Sequence, residues 1–341
     1  MLVGWGRLTL KQRGIQEEFY DNRALKGCMD RYGDPKAIFA GVKLKLVGGG
    51  GNVEVTLNRI ISRHPGIVGR NTHVVEATSA HEGWKGKRLI VKISWPDISR
   101  RSEADIVGEA REKARTMTQD FGYDADSTQA NLVTFFGKAM FAGEKLEYEG
   151  RVCRITVQER LHPLDELQTA QEFAQVFFDI LQIHKWLYDH PRILHRDIST
   201  SNIMWRRTVN GHLRGVLNDF DLSSFRDDTG TSSVECTGTL PYMAYELFID
   251  DENGNPRKHL YRHDLESIFY VILLLCSRCE LVTAQKSSEH EILVRTKVHS
   301  QFDEWYRSGR DSLLMASKCA VFMENFEASP KLGSGFTDFQ P

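Results

Sequence analysis

Ile193-Leu-His-Arg-Asp-Ile-Ser-Thr-Ser-Asn-Ile-Met-Trp205 is the stretch whose reading decides the fold. It brings His195, Arg196 and Asp197 together and sets Asn202 five residues after the aspartate. Seventeen residues beyond Asn202 stands a second acidic triplet, Asp219-Phe220-Asp221, behind the apolar run Gly215-Val-Leu217. Two carboxylates and an amide on short turns beside apolar runs can hold a hard cation against a polyphosphate, and one carboxylate can take the proton of an incoming hydroxyl. A salt-bridged surface loop with Asn202 as a cap would explain the first triplet alone. It does not explain the recurrence of the pattern at Asp219 or the apolar strands around both.

Working upstream, phosphoryl transfer asks for a cation on the phosphates. Lys92 sits inside the apolar strand Leu89-Ile-Val-Lys-Ile93, where a lysine snorkelling from a strand edge is the simpler reading. The helix expected over Arg101–Met117 carries Glu109 seventeen residues later, a partner able to hold Lys92, with Glu103 and Glu112 as alternatives on the same helix. A cover over the phosphates is expected at the turn Gly66-Ile-Val-Gly-Arg-Asn-Thr-His-Val-Val75, with Gly66, Gly69, Asn71 and Val75 as its contributors. Asn71 stands where a second closely spaced glycine would be best, and asparagine tolerates positive φ better than most side chains.

The chain changes class near residues 160–165. Before it, alternating apolar residues predict a hairpin at Lys43–Leu57 around Gly48–Asn52, strands between Ile60 and Ile93, and two more at about 131–142 and 151–159. After it, Thr169–Tyr188 and Asp264–Leu275 predict helices, the second apolar almost all round. The expected division is an extension over 1–59, a strand-rich lobe over 60–160 and a helical lobe over 161–341, hence an α+β fold of two lobes. Residues 223–239, rich in Ser, Thr, Asp and Gly, predict a mobile loop, and Gln16–Met29 has some helical character.

A net charge of −2 gives no reason to expect nucleic acid or an anionic membrane as partner. The longest apolar run, Ile268–Cys276, is too short to cross a bilayer, and the opening residues lack a signal-peptide core. The scattered cysteines, with Cys276-x-x-Cys279 unaccompanied by a second pair, read as free thiols in a reducing, intracellular compartment, cytoplasmic or nuclear. His184 falls on the apolar helix face and reads as a core residue. Ser199 lacks a nucleophile-elbow context.

With these residues in hand, the sequence resembles the eukaryotic protein kinase fold, and specifically the fungal-type protein kinase family, over about residues 60–325. His195-Arg-Asp-Ile-Ser-x-x-Asn202 is similar to that family's catalytic loop, and Gly238-Thr-Leu-Pro-Tyr-Met-Ala-Tyr-Glu246 resembles the end of its activation segment. His263-Asp-Leu-Glu-Ser-Ile-Phe-Tyr270 resembles the start of its central helix. The resemblance implies a two-lobed kinase with Mg-ATP in a cleft and a protein Ser/Thr hydroxyl as acceptor. Asp197 would be the catalytic aspartate, and Asn202 and Asp219 would bind magnesium. Lys92 would contact the ATP phosphates, oriented by Glu109. Met204 would lie under adenine, and Gln158–Leu161, with Glu159 and Leu161, would form the hinge beside it.

Thr239 would bond to the catalytic aspartate, as in Ser/Thr kinases. Arg196 would receive a phosphate on Ser232, Ser233 or Thr237. Asp264 would hold the catalytic-loop backbone, and Glu246 would pair with an arginine that the resemblance does not assign. The chain departs from the pattern at Asn71, at Asp221 in place of glycine, and at Tyr245 in place of proline. The Asp-x-Asp form is shared with small-molecule kinases of the aminoglycoside and choline type. A kinase of that type and a non-catalytic pseudokinase are therefore the rival readings; a monomer is assumed.

Overall fold

The computed structural model describes residues 35–37, 39–48, 51–63, 72–96, 100–121, 133–136, 154–227, 238–281, 295–298, 302, 304–307 and 312–323. It divides into two compact units, Met1–Arg160 and Leu161–Pro341. Gly66, Gly69 and Asn71 of the expected phosphate cover, the Gln16–Met29 stretch and residues 228–237 lie outside the described residues.

The first unit is built on one antiparallel sheet. Its strands are β1 (Lys43–Gly48), β2 (Gly51–Arg63), β3 (His73–Ser79), β4 (Leu89–Ser94), β5 (Val133–Phe136) and β6 (Arg154–Glu159), in the spatial order β1-β2-β3-β4-β6-β5. The alternation of β4 explains its two faces. Leu89, Val91 and Ile93 enter a core with Leu44, Val55, Val75, Ala77, Ile155 and Val157. Ile90, Lys92 and Ser94 point the other way, as do Arg154, Thr156 and Gln158 on the neighbouring β6, and all six are buried. Val75, expected in the phosphate cover, is a fully buried member of that core. The expected boundary at 59/60 is overturned: β2 runs across it and joins β1 to β3, so the hairpin belongs to the sheet rather than to an extension.

A helix, α1 (Glu103–Phe121), follows β4. Its start is fixed by a reciprocal cap, since Asp105 N donates to Ser102 Oγ at 3.1 Å and Ser102 N donates to an Asp105 carboxylate oxygen at 3.2 Å. Ile106, Val107 and Ala110 form its buried stripe.

The second unit is led by α2 (Ala170–Asp189), capped by Thr169, whose Oγ1 accepts from Glu172 N. One short strand, β7 (His162–Pro163), precedes this helix, and four follow it: β8 (Ile193–Leu194), β9 (Ile203–Arg207), β10 (Leu213–Leu217) and β11 (Ser224–Phe225). β9 pairs with β10 on one side and β7 on the other, and β8 pairs with β11. The helix α3 (Tyr261–Cys276) buries His263, Asp264, Ser267, Ile268, Tyr270, Val271 and Leu273–Leu275. The hairpin β12 (Arg278–Leu281) with β13 (Arg295–Val298), then α4 (Glu304–Arg307) and α5 (Ser312–Met323), complete it. Among the described residues no helix is long and apolar enough to cross a membrane. Cys276 is a free, half-buried thiol whose pKa burial pushes up to about 11, as expected of an unreactive cysteine.

β10 lies against α2 at a distance that only glycine permits. Gly215 N donates to the buried Asp179 carboxylate at 2.9 Å, and a Cβ there would meet the Val176 carbonyl oxygen at 2.5 Å. The strand that delivers Asp219 is thus bonded directly to a helix. Gly215→Ala is expected to cost about 1–3 kcal/mol by forced separation of the two elements, read from the urea midpoint followed by tryptophan fluorescence.

Candidate active site

The catalytic-loop candidate is shaped by one buried carboxylate. Asp264, in the first turn of α3, accepts from His195 N at 2.9 Å and from Arg196 N at 3.0 Å. The same carboxylate accepts from His184 Nε2 at 3.0 Å and from His259 Nε2 at 2.8 Å. Burial disfavours its ionised form, but His259 and His184 outweigh that and hold it well below the usual carboxylate range. Four donors on one carboxylate keep Arg196 at φ 69°, a left-handed conformation that a non-glycine residue enters at a cost. The expectation that Asp264 holds this backbone matches the geometry. The two histidines were not foreseen, although His184 was placed in the core, where it also stacks on Tyr261 at 4.8 Å.

His195 is buried, and burial lowers its pKa, so the ring is neutral at physiological pH. Its Nε2 donates to the Asn218 carbonyl at 3.0 Å and its Nδ1 accepts from Asp197 N at 3.3 Å. Phe220 meets the ring edge-on at 4.9 Å. One imidazole therefore joins the loop that carries Asp197 to the turn that carries Asp219. A second tie, from Asn218 N to the Asn202 carbonyl at 2.8 Å, runs parallel to it. Asp219 takes φ 63°, and one of its carboxylate oxygens accepts from Asp221 N at 3.3 Å. The Asp221 side chain itself is buried.

Asp197, Asn202 and Thr239 are brought together. Thr239 donates twice to Asp197 Oδ1, from N at 2.9 Å and from Oγ1 at 2.8 Å. Asn202 Nδ2 donates to the Asp197 carbonyl at 2.7 Å and stands 3.4 Å from Asp197 Oδ2. The amide nitrogen is thereby committed, which leaves its oxygen as the end that can ligate. Asp197, Asn202 and Asp219 offer oxygen donors, the set a hard divalent cation such as magnesium takes. Gly238 precedes Thr239 at φ 153°, and a Cβ there would press on Met243 and on the Arg196 carbonyl. Met204 lies on β9 opposite Val216, with its sulfur 3.7 Å from Asn218 Nδ2.

In the first unit, Lys92 pairs with Glu103 rather than Glu109. Lys92 Nζ lies 3.5 Å from Glu103, with side chains 8% and 3% exposed. Glu109 is 52% exposed and bridges to Arg101 at 3.0 Å, and Glu112 faces Arg115. The reason is helical phase: positions 103, 106, 107 and 110 share one stripe, and Glu109 lies well round the helix from it. The apolar stripe was legible, and extending it back by three residues would have selected Glu103. Glu159 bridges to Lys87 at 3.4 Å on the first unit, while Leu161 opens the second unit, buried.

The unassigned partner of Glu246 is Arg262, sixteen residues on, at 2.7 Å, joined by His263 Nε2 at 3.0 Å. His263 and then Arg262 hold the Glu246 carboxyl below its usual range. Glu266 accepts from Tyr245 N at 2.8 Å and from the Tyr270 hydroxyl at 2.6 Å, securing the position where proline was expected.

Asp264→Ala removes an acceptor from four donors and is expected to cost about 3–5 kcal/mol of unfolding free energy in urea titration. Glu109→Gln, at an exposed bridge, is expected to stay within about 0.5 kcal/mol of the parent. Because the Asp264 pKa is depressed on folding, its contribution should persist down to about pH 4 and fade only as the pH drops through the folded value, which the same titration in acid checks.

The sequence model of a family described as "Fungal protein kinase" matches residues 47–129 and 118–276, more than half of the chain. The chain is similar to receptor-interacting serine/threonine-protein kinase 3 of Homo sapiens, 41% identical over 68 residues, 19% of this chain and 12% of that protein. It is also similar to dual specificity protein kinase shkD of Dictyostelium discoideum, 28% identical over 133 residues, 37% of this chain and 16% of that protein. A putative L-type lectin-domain containing receptor kinase I.1 of Arabidopsis thaliana is 47% identical over 57 residues, 16% of this chain and 8% of that protein. The chain thus covers well under a fifth of the length of these relatives. With its two matched segments together covering residues 47–276, the chain belongs to the fungal protein kinase family.

Proposed function

We propose that the chain transfers the γ-phosphoryl group of Mg-ATP to a serine or threonine hydroxyl of a protein substrate. The observation that carries this reading is the joint presentation of Asp197 by Asn202 and Thr239, with both backbone amides before Asp197 fixed on Asp264. Mg-ATP would supply the activated phosphoryl group, its charge shared with the metal. Asn202 and Asp219 would hold the cation through oxygen. Asp197 would orient the acceptor hydroxyl and take its proton; with Oδ1 engaged by Thr239, we assign that proton to Oδ2. Lys92, held by Glu103 in a buried pair, would neutralise charge on the phosphates. Glu103 would take the role first given to Glu109.

Catalysis on this reading is positioning and charge stabilisation, with no covalent enzyme intermediate. The Thr239 hydroxyl bond favours serine and threonine as acceptors. Names among the relatives include both a serine/threonine and a dual specificity kinase, so a tyrosine acceptor belongs in the assay. The intact Arg196 and the Gly238-Thr239 segment weigh against a small-molecule acceptor, and the complete set of polar positions weighs against a pseudokinase.

Radiolabelled γ-phosphate transfer to mixed protein and peptide acceptors tests the proposal. Asp197→Asn should abolish transfer yet keep magnesium-dependent thermal stabilisation by ATP, worth roughly 2.7 kcal/mol at 100 times the dissociation constant. Transfer by that variant at the parent's rate would sink the assignment, and absence of any ATP-dependent stabilisation in the parent would favour the pseudokinase. Glu103→Gln should lower transfer at least about tenfold, the equivalent of about 1.4 kcal/mol in the barrier, with Glu109→Gln near the parent.

A further inference from the structure

Lys318 has no part in the reaction proposed above, yet its surroundings are built around it. The side chain, on α5, is fully buried. Its Nζ donates to the Leu240 carbonyl at 3.1 Å and to the Met243 carbonyl. Three aromatic faces enclose it: Tyr270 at 4.4 Å from the ring centroid, Trp305 at 5.0 Å and Phe248 at 5.3 Å. The enclosure is itself fixed. Trp305 Nε1 donates to Ser317 Oγ at 2.9 Å, Tyr270 meets Trp305 edge-on at 5.0 Å, and the Tyr270 hydroxyl donates to Glu266.

Among the described residues no carboxylate lies within ion-pair distance of this ammonium. Withdrawing an unpaired cation from water costs several kcal/mol, and a methionine would fill the same space without that cost. Cation–π attraction in a desolvated box returns part of it, at about 2 kcal/mol or more for a contact of this kind. What an ammonium can do and an apolar chain cannot is hold two carbonyl oxygens at once. The carbonyls it holds belong to the 3-10 turn Leu240–Tyr242 and to Met243 beyond it, directly after Thr239.

We propose that Lys318 is a positioning residue, an ammonium caged by Phe248, Tyr270 and Trp305 that clamps the 240–243 turn and so keeps Thr239 on Asp197. The clamp stands on the geometry of the second unit; its consequence for phosphate transfer rests on the function proposed above.

Burial lowers the Lys318 pKa to about 7, against an opposing pull from Glu266. Among the described residues, the other titratable groups around the box are the Tyr270 and Tyr245 phenols and the Cys319 thiol. On the neighbouring turn Glu246 is engaged by Arg262 and His263. The ammonium form that carries the clamp therefore predominates below about pH 7 and gives way to the amine above it. Global stability runs in the opposite direction. Between about 7 and 10.5 the unfolded chain binds this proton and the folded chain does not, so the group's contribution to unfolding free energy rises with pH. A local loosening that accompanies a global gain separates a clamp from a lysine that merely fills the core.

Hydrogen exchange of the full chain tests this, with rates corrected for the intrinsic effect of pH. In the parent, protection of the amides of Thr239, Tyr242 and Met243 should fall about tenfold between pH 6 and pH 8.5, while strands of the first unit are unchanged. In Lys318→Met that protection should be low at both values, with no step between them. Lys318→Arg, which keeps its charge throughout, should abolish the step while retaining protection. Should either variant fail to fold, the parent's pH step decides alone. Equal protection in the parent at pH 6 and 8.5, or full protection in a folded Lys318→Met, overturns the clamp. Phosphate transfer measured on the same samples separates the two proposals. Exchange that follows prediction in a chain with no transfer at either pH leaves the clamp standing and removes the kinase reading; transfer with exchange indifferent to Lys318 does the reverse.

Discussion

The carboxylate of Asp264 is the constraint on which the second unit depends. A buried anion is tolerated only if its lone pairs are filled, and here two backbone amides and two imidazoles fill them. The amides come from consecutive residues, His195 and Arg196, which can present both N–H groups to one acceptor only if the chain bends into the left-handed region at Arg196. That bend sets the direction in which Asp197 leaves the loop. The chemistry of residue 197 thus rests on a helix residue sixty-seven positions later in the chain, and on His184 of α2 and His259 in the segment leading into α3.

Much of this was legible in the sequence because the motif residues are neighbours in the chain. Asp197 with Asn202, and Asp219 with Asp221, are short-range facts that any fold placing them on turns between strands would preserve. The class change near residue 160 was legible as well, from period-2 alternation giving way to a 3.6-residue period. The pairing of Lys92 was not read correctly, since it depends on the rotational phase of α1 against the sheet. The Ser102–Asp105 cap fixes that phase at the helix start, where attention to a central glutamate misses it. The early boundary failed for a related reason. Periodicity reports that a strand exists, whereas whether it pairs onward, as β2 does with β3, is a tertiary fact.

Long-range polar partners left no trace in local pattern. Arg262 for Glu246, His184 for Asp264, and the two carbonyls for Lys318 are joined across separations from 16 to 80 residues. Each lies on or beside α3 or α5, helices whose apolar character was the visible signal. A polar residue within such a helix, as Asp264 and Lys318 both are, was the available hint that something polar waits on the other side.

His195 carries a consequence of a different kind. Two backbone segments that approach side by side can offer each other mismatched groups, a carbonyl from Asn218 and an N–H from Asp197, at a spacing too wide for them to bond directly. The neutral ring spans the gap, with a hydrogen on one nitrogen and a lone pair on the other. It works as an adaptor of fixed polarity, and its direction is set by which loop supplies which group. A doubly protonated ring would turn its acceptor nitrogen into a donor facing the Asp197 N–H. The two turns that carry the metal-ligand and base candidates therefore share a single tautomer.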